Sequence, residues 1–283
     1  MTNVTACIDG STASPAVCDY AAWASLRMEA TLLFLHVLDK SEYPTESNLS
    51  GNIGLGSREA LLEELAELDE KRGKLALEQG RLMLEAASER AVKDGVEHPA
   101  TLQRHGALVD TLAEMEEEIR LLVIGKQGED GDTLGEHIGS HLENVVRTMH
   151  RPILVTPSAY REPKSVMLAF DGSATTRKGL EMVASSPLFR HLPCHLVMVG
   201  TDTDENRTQM EWAKQTLEAA GFEAPAIIRA GEVETVLCEY CKEHHIDLLI
   251  MGAYGHSRIR QFLIGSTTTS VVRSANAPVL LLR

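Results

Sequence analysis

The sequence predicts an α/β protein made of two tandem doubly wound domains, each with a five-stranded parallel sheet in the order 3-2-1-4-5. Three observations carry this. Short apolar runs alternate with helical segments along the whole chain, the pattern of a parallel sheet with helices on both faces. The β-α-β-α-β-α-β-α-β order recurs with a period near 160 residues. A Pro-bounded polar stretch, residues 157–164, separates the two copies, which sets the domains at 1–157 and 164–283.

In the first copy, Val4 to Ile8 reads as a buried strand ending in the Asp9-Gly10-Ser11 turn, with a helix to about residue 29. Thr31 to Val37 is a second strand, and the Ser-, Asn-, Gly- and Pro-rich stretch 39–56 a loop. Ser57 and Asp94-Gly95 bracket a long helix, 57–93. Its Leu61, Leu62, Leu65, Leu68, Leu75, Leu82 and Leu84 recur mainly at helical spacings, so it is expected to lie with an apolar face on the sheet and a charged face in water. An exposed seam for a partner helix is the alternative. A third strand (100–105), a helix (106–120), a fourth strand (121–125), a helix to about His150 and a fifth strand (152–155) complete the unit. The acidic run Glu114, Glu116, Glu117 and Glu118 reads as a solvated face, because consecutive helical positions point in different directions.

The second copy repeats the order with strands at 166–170, 195–200, 225–229, 248–252 and 278–282. Its second helix, 207–220, is much shorter than its counterpart. Crossovers are right-handed, so strands 1 and 4 flank the crevice where such sheets bind ligands, at their carboxyl ends. Asp171 ends the first strand of the second copy, and Gly252-Ala-Tyr-Gly255 ends the fourth. Nine residues later Gly265-Ser266-Thr267-Thr268 opens a helix. Glycines let a ligand approach the backbone closely. A helix start offers unpaired N–H groups to anions, and hydroxyls add donors. These parts suit a phosphate-bearing ligand.

The net charge is −14, which makes duplex nucleic acid and anionic membranes poor partners. The first 157 residues hold 14 Lys and Arg against 27 Asp and Glu, whereas residues 158–283 hold 13 against 14. An anionic ligand should therefore prefer the second copy. No apolar run is long enough to span a bilayer. The start lacks the basic and apolar regions of a signal peptide. The five dispersed cysteines read as reduced thiols of the cytoplasm. Cys238, Cys241, His244 and His245 resemble a metal cluster on paper, but one short helix cannot easily surround a tetrahedral ion, and the stripe reads as packing. Neither a P-loop nor a Gly-x-Ser-x-Gly elbow occurs.

Gly-x-x-Gly, nine residues and Gly-Ser, together with an Asp ending strand 1, resemble the universal stress protein family over nearly the whole chain, as two tandem domains. The resemblance implies a flavodoxin-like fold, binding of an adenine nucleotide such as ATP (with Mg held through the phosphates), a cytoplasmic stress-tolerance role and no agreed reaction. Carried over by position, Asp171 sits by adenine and ribose, Val199 meets the adenine edge through its backbone, Gly252 and Gly255 line ribose and phosphates, and Gly265, Ser266 and Thr267 grip the phosphates. His256, Arg258 and Arg260 add positive character between the glycines.

The first copy keeps Asp9, Val37, Gly125, Gly128, Gly139 and Ser140, but ten residues separate Gly128 from Gly139 and they carry Glu129, Asp130, Asp132 and Glu136. Carboxylates repel a triphosphate unless a cation intervenes, so the nucleotide is expected mainly in the second copy. The alternatives are a ligand-free interaction scaffold or a slow ATP hydrolase. Such a hydrolase would need a committed base, which the sequence does not display. The two copies are expected to meet through their fifth strands as an intramolecular pseudo-dimer, with a homodimer and an unidentified protein partner left open.

Overall fold

The computed structural model describes residues 2–38, 55–126, 140–253 and 266–283, with the side chains of 55–63, 140–141 and 266 excepted. The elements of the first half are β1 (Asn3–Cys7), α1 (Ser14–Met28), β2 (Leu32–Leu38), α2 (Leu55–Lys93), β3 (Ala100–His105), α3 (Leu108–Met115), β4 (Ile119–Gly125), α4 (Ser140–Thr148) and β5 (Ile153–Thr156). Those of the second are β6 (Val166–Ala169), α5 (Ala174–Ser185), β7 (Cys194–Val199), α6 (Asp204–Ala219), β8 (Ala226–Arg229), α7 (Val233–Glu243), β9 (Leu248–Gly252), α8 (Ser266–Ser274) and β10 (Val279–Leu282).

All ten strands form one sheet, in the order β3-β2-β1-β4-β5-β10-β9-β6-β7-β8. Within each half the pairs are parallel and follow the expected 3-2-1-4-5 order. At the centre β5 and β10 pair antiparallel, Leu154 opposite Leu280. Each half would otherwise leave a fifth-strand edge with unpaired N–H and C=O groups, and the antiparallel join satisfies both edges at once. Alternate residues of each strand serve opposite faces: Leu32 and Phe34 enter the apolar layer under α1, α2, α5 and α6, while Leu33 and Leu35 enter the layer under α3, α4, α7 and α8.

The halves also cap each other's helices. Lys126, just after β4, donates from Nζ to the carbonyls of Arg273 and Ala275 (3.3 Å to the latter) at the end of α8. Reciprocally, Arg283 donates to the carbonyls of Arg147 (2.9 Å) and Met149 near the end of α4. A cation at a helix carboxyl end meets the negative end of the dipole and satisfies orphan carbonyls. Burial holds the Lys126 ammonium below the ordinary lysine range. The polar connection between the halves is fastened too. Tyr160 packs edge-on against Tyr20 at 4.8 Å, Arg161 N donates to the Tyr20 hydroxyl at 3.2 Å, and the Arg161 guanidinium lies 3.2 Å from buried Asp247.

Three expectations change. The long helix does not lie on the sheet along its whole length. Its packed face is built from Leu84 and from Ala76, Gly80, Ala87 and Ala91, small residues that let the helix approach closely, whereas Leu68, Leu75 and Leu82 stand in solvent. At Gly80 an added Cβ would fall 2.5 Å from the His36 ring and 2.2 Å from Gln103 Nε2, so the contact demands glycine. Of the acidic run, Glu116 is half-buried in a short 3-10 turn (Glu116–Glu118) and accepts the backbone N–H of His150, while Glu114, Glu117 and Glu118 remain exposed. Arg120 belongs to β4 rather than to a helix. Among the described residues no helix is long and apolar enough to cross a membrane.

Candidate functional site

The crevice of the second half is built from three strand ends. β6 lies between β7 and β9, and the connections leaving β6 and β9 go to opposite sides of it. This is the topological switch point of a doubly wound sheet. Ala169 pairs with Val197 and Leu168 with Ile250. Carrying those registers on puts Asp171 level with Val199 on one side and with Ala253, next to Gly252, on the other. Three of the positions read from the sequence thus share one end of the sheet.

The Asp171 carboxylate shapes the turn it sits in. Oδ1 accepts the N–H of Ser173 at 3.0 Å and the hydroxyl of Thr176 at 2.7 Å. Ser173 caps α5, its hydroxyl accepting Thr176 N at 3.3 Å. Between them Gly172 takes φ +72°, the left-handed region that glycine enters without a Cβ penalty. The turn is covered by α6. Gln209 Oε1 lies 1.6 Å from where a Gly172 Cβ would be, and the Arg177 guanidinium donates to the Gly172 carbonyl at 3.0 Å while stacking on Trp212 at 4.7 Å. Gly200, directly after Val199, has open space at its missing Cβ, the nearest atom being Asn206 Nδ2 at 3.8 Å.

On the other side of the crevice, α8 begins at Ser266. Thr267 is exposed and Thr268 buried. The Thr268 hydroxyl donates to the Ala253 carbonyl at 3.0 Å, tying the first turn of α8 to the end of β9. Thr268 stood beside the predicted phosphate residues without being assigned a part. In the sequence it is the middle one of three threonines, Thr267 to Thr269, and nothing there marks it as the one that turns inward. Gly255 and Gly265, with His256, Arg258 and Arg260, lie outside the described residues, as does the side chain of Ser266.

The first half has the same frame. Asp9 Oδ1 accepts Ser11 N and the Ser14 hydroxyl, both at 3.0 Å, and Gly10 takes φ +80°. Cys7 pairs with Leu35 and Ala6 with Val123, so Asp9 comes level with Val37 and with Lys126, beside Gly125. Two differences follow from local chemistry. The position equivalent to Ala253 is Lys126, whose ammonium is engaged on α8 of the other half. α2 also comes over the turn, bringing the Met83 thioether to 2.4 Å from where a Gly10 Cβ would be. Between α1 and α2 an open groove of about 420 Å³ is lined by Ser14, Cys18, Met83, Ala87, Arg90 and Lys93, among others, with Arg90 bound to Asp19 at 2.8 Å. Gly128 and Gly139, with Glu129, Asp130, Asp132 and Glu136, lie outside the described residues, as does the Ser140 side chain.

The Cys238 and Cys241 stripe faces inward from α7 beside Leu249 and Ala275. Burial pushes the Cys241 thiol up to about 12, with Cys238 adding to it. Tyr240, His195 and His244 form a separate cluster. His195 Nδ1 lies 2.9 Å from the Tyr240 hydroxyl, and His244 stacks on Tyr240 at 4.1 Å.

The sequence matches the universal stress protein family over residues 1–157 and 163–283. It is 36% identical over 287 residues to the universal stress protein Slr1230 of Synechocystis sp., covering 100% of both chains. The structure is similar to that of a universal stress protein from Archaeoglobus fulgidus, with a TM-score of 0.68, 16% identity and coverage of 99% and 95% of the two chains. It is also similar to a putative universal stress protein from Pseudomonas aeruginosa, with a TM-score of 0.62, 14% identity and coverage of 100% and 93%. These two likenesses are of fold.

Proposed function

The chain belongs to the universal stress protein family, and from that premise we propose that it is a cytoplasmic regulatory protein that binds an adenine nucleotide, ATP, mainly in its second half. The observation that carries the reading is the convergence of Asp171, Val199 and Gly252 at one switch point, with the start of α8 fastened beside them through Thr268 and Ala253. In this reading the Gly252 backbone admits the ribose and phosphates, and the N–H groups at the start of α8 with the Ser266 and Thr267 hydroxyls take the phosphate oxygens. Asp171 keeps Oδ1 in its turn and offers its charge to the ribose hydroxyls. A Mg ion would ride on the phosphates. The first half is assigned a structural and interaction role, supported by the engagement of Lys126 on α8 and the cover of α2 over Gly10. Nucleotide bound to one half would bias partner choice.

Mass spectrometry of small molecules released from the purified protein, followed by equilibrium dialysis with labelled ATP, tests this. Retained or rebound adenine nucleotide is expected, about one per chain. Asp171→Asn preserves the turn acceptor while removing the charge, and is expected to weaken binding about tenfold. A protein that releases no nucleotide and takes up none at millimolar ATP overturns the reading.

A further inference from the structure

The half of α2 that runs past the sheet has no packing partner among the described residues. Gly80 lies over the paired strands at His36 and Gln103. Toward its amino end the helix continues from Ala76 back to Leu55, roughly 33 Å at 1.5 Å per residue. Every described side chain from Glu64 to Leu75 is exposed or half-buried, and a Cβ added at Gly73 would meet nothing within 4 Å. Leu68, Leu75 and Leu82 are 49%, 70% and 52% exposed, and in the sequence Leu61 falls at the same seven-residue spacing. This stripe is distinct from the Ala76, Gly80, Leu84, Ala87 stripe that meets the sheet.

We propose that α2 is a coiled-coil arm that pairs antiparallel with α2 of a second copy of this chain, making the protein a homodimer. A strict seven-residue leucine repeat fits another α-helix wound around it, and not a sheet or a flat surface. Its flanks hold 7 Asp and Glu against 5 Lys and Arg over residues 55–82, the wrong sign for an anionic membrane. Charge also selects the direction. With the leucines taken as the d positions of a heptad, Arg72 is an a position, and a parallel pair would stack Arg72 on Arg72 and set Glu64 against Asp69. An antiparallel pair centred between Arg72 and Leu75 lays the Arg72 stem along Leu75 of the second copy. It also brings Lys71 beside Glu78 of the second copy, twice by symmetry. Arg81 binds both Glu78 and Glu85 of its own helix, so Glu78 is shared between Arg81 and Lys71 of the second copy, and the outer meeting of Glu64 with Glu85 is tempered. The pairing does not depend on the nucleotide reading.

Sedimentation velocity of the full chain tests it. The wild type is expected at twice the chain mass of 31.0 kDa. Leu68→Glu with Leu75→Glu, both in solvent, is expected to give monomer with the thermal transition of the sheet body unchanged. Lys71→Glu alone is expected to weaken the dimer about tenfold, and adding Glu78→Lys to restore it. A wild type monomeric at all concentrations, including one that instead captures a different protein or a vesicle, overturns the proposal. So does a dimer that survives the leucine substitutions. A dimer lost with them but not rescued by the charge exchange overturns the antiparallel arrangement.

Discussion

Thr268 donates its hydroxyl hydrogen to the carbonyl of Ala253 across 3.0 Å, with both residues buried. The bond joins the last residue positioned by β9 to the first turn of α8, two points that enclose the candidate phosphate site. Thr268→Val preserves the shape and leaves the Ala253 carbonyl unpaired, so a loss of about 1–3 kcal/mol in chemical denaturation is expected, together with weaker ATP binding. Thr268→Ser restores the donor and should recover most of both. If the valine variant matched wild type in denaturation midpoint and in dialysis, the bond would not be what fixes the start of α8.

Two glycines should respond in opposite directions. Gly172, at φ +72°, should lose about 1–2 kcal/mol on Gly172→Ala, since an L side chain is strained there. Gly73 is in the open, helical part of α2 with nothing near its missing Cβ, and Gly73→Ala should stabilise the helix by about 0.5–1 kcal/mol. Hydrogen exchange of the arm amides, slower in the alanine variant, reads the second effect. Global denaturation reads the first.

The thiols should be slow. Burial pushes Cys7, Cys18, Cys194 and Cys241 up to about 12, aided at Cys7 by Asp9 and at Cys18 by Asp19. The Cys238 thiol is also raised, first by burial and then by Glu234. Because the thiolate is the nucleophile, iodoacetamide at pH 8 should label the native protein far more slowly than the denatured chain, in which all five cysteines react. Cys238, half-exposed, should be labelled first. Rapid labelling of Cys7 or Cys194 in the native state would contradict the packing described.

His195 gives a pH signature. Burial, and then the neighbouring His244, lower its pKa from 6.5. The unfolded chain therefore takes up a proton that the folded one resists, and stability falls as pH drops below about 6.5. Above that value the residue contributes no pH dependence. The His195 ring resonance should titrate below 6.5, and His195→Gln should flatten the acid side of the stability profile. A ring titrating above 6.5 would reverse the sign.

Much of this protein was legible in one dimension because its signals are local. Strand and helix alternation, the Asp-Gly-Ser turns and the repeat follow from periodicity and turn chemistry, and five such strands with right-handed crossovers fit the order 3-2-1-4-5. Asp171 and Gly252 could be named because each ends a strand that flanks the expected crevice, whereas Val199 was named only through the resemblance to the family. Burial of α2 was not legible. Its leucines have helical spacing whether they meet a sheet or water, and the choice fell to the smaller Ala76, Gly80, Ala87 and Ala91, which permit closer approach. The roles of Lys126 and Thr268 were also hidden, since each is defined by a carbonyl that arrives from another element.

The sequence by itself determined the kind of sheet and its repetition, because those depend on patterns within a few residues and on the chirality of the chain. Only the tertiary structure decided that β5 and β10, expected to meet, pair antiparallel in one continuous sheet, that each half caps the other's last helix, and that half of α2 has no partner among the described residues. These depend on which surfaces meet when distant segments pack, and one chain's local propensities do not record that.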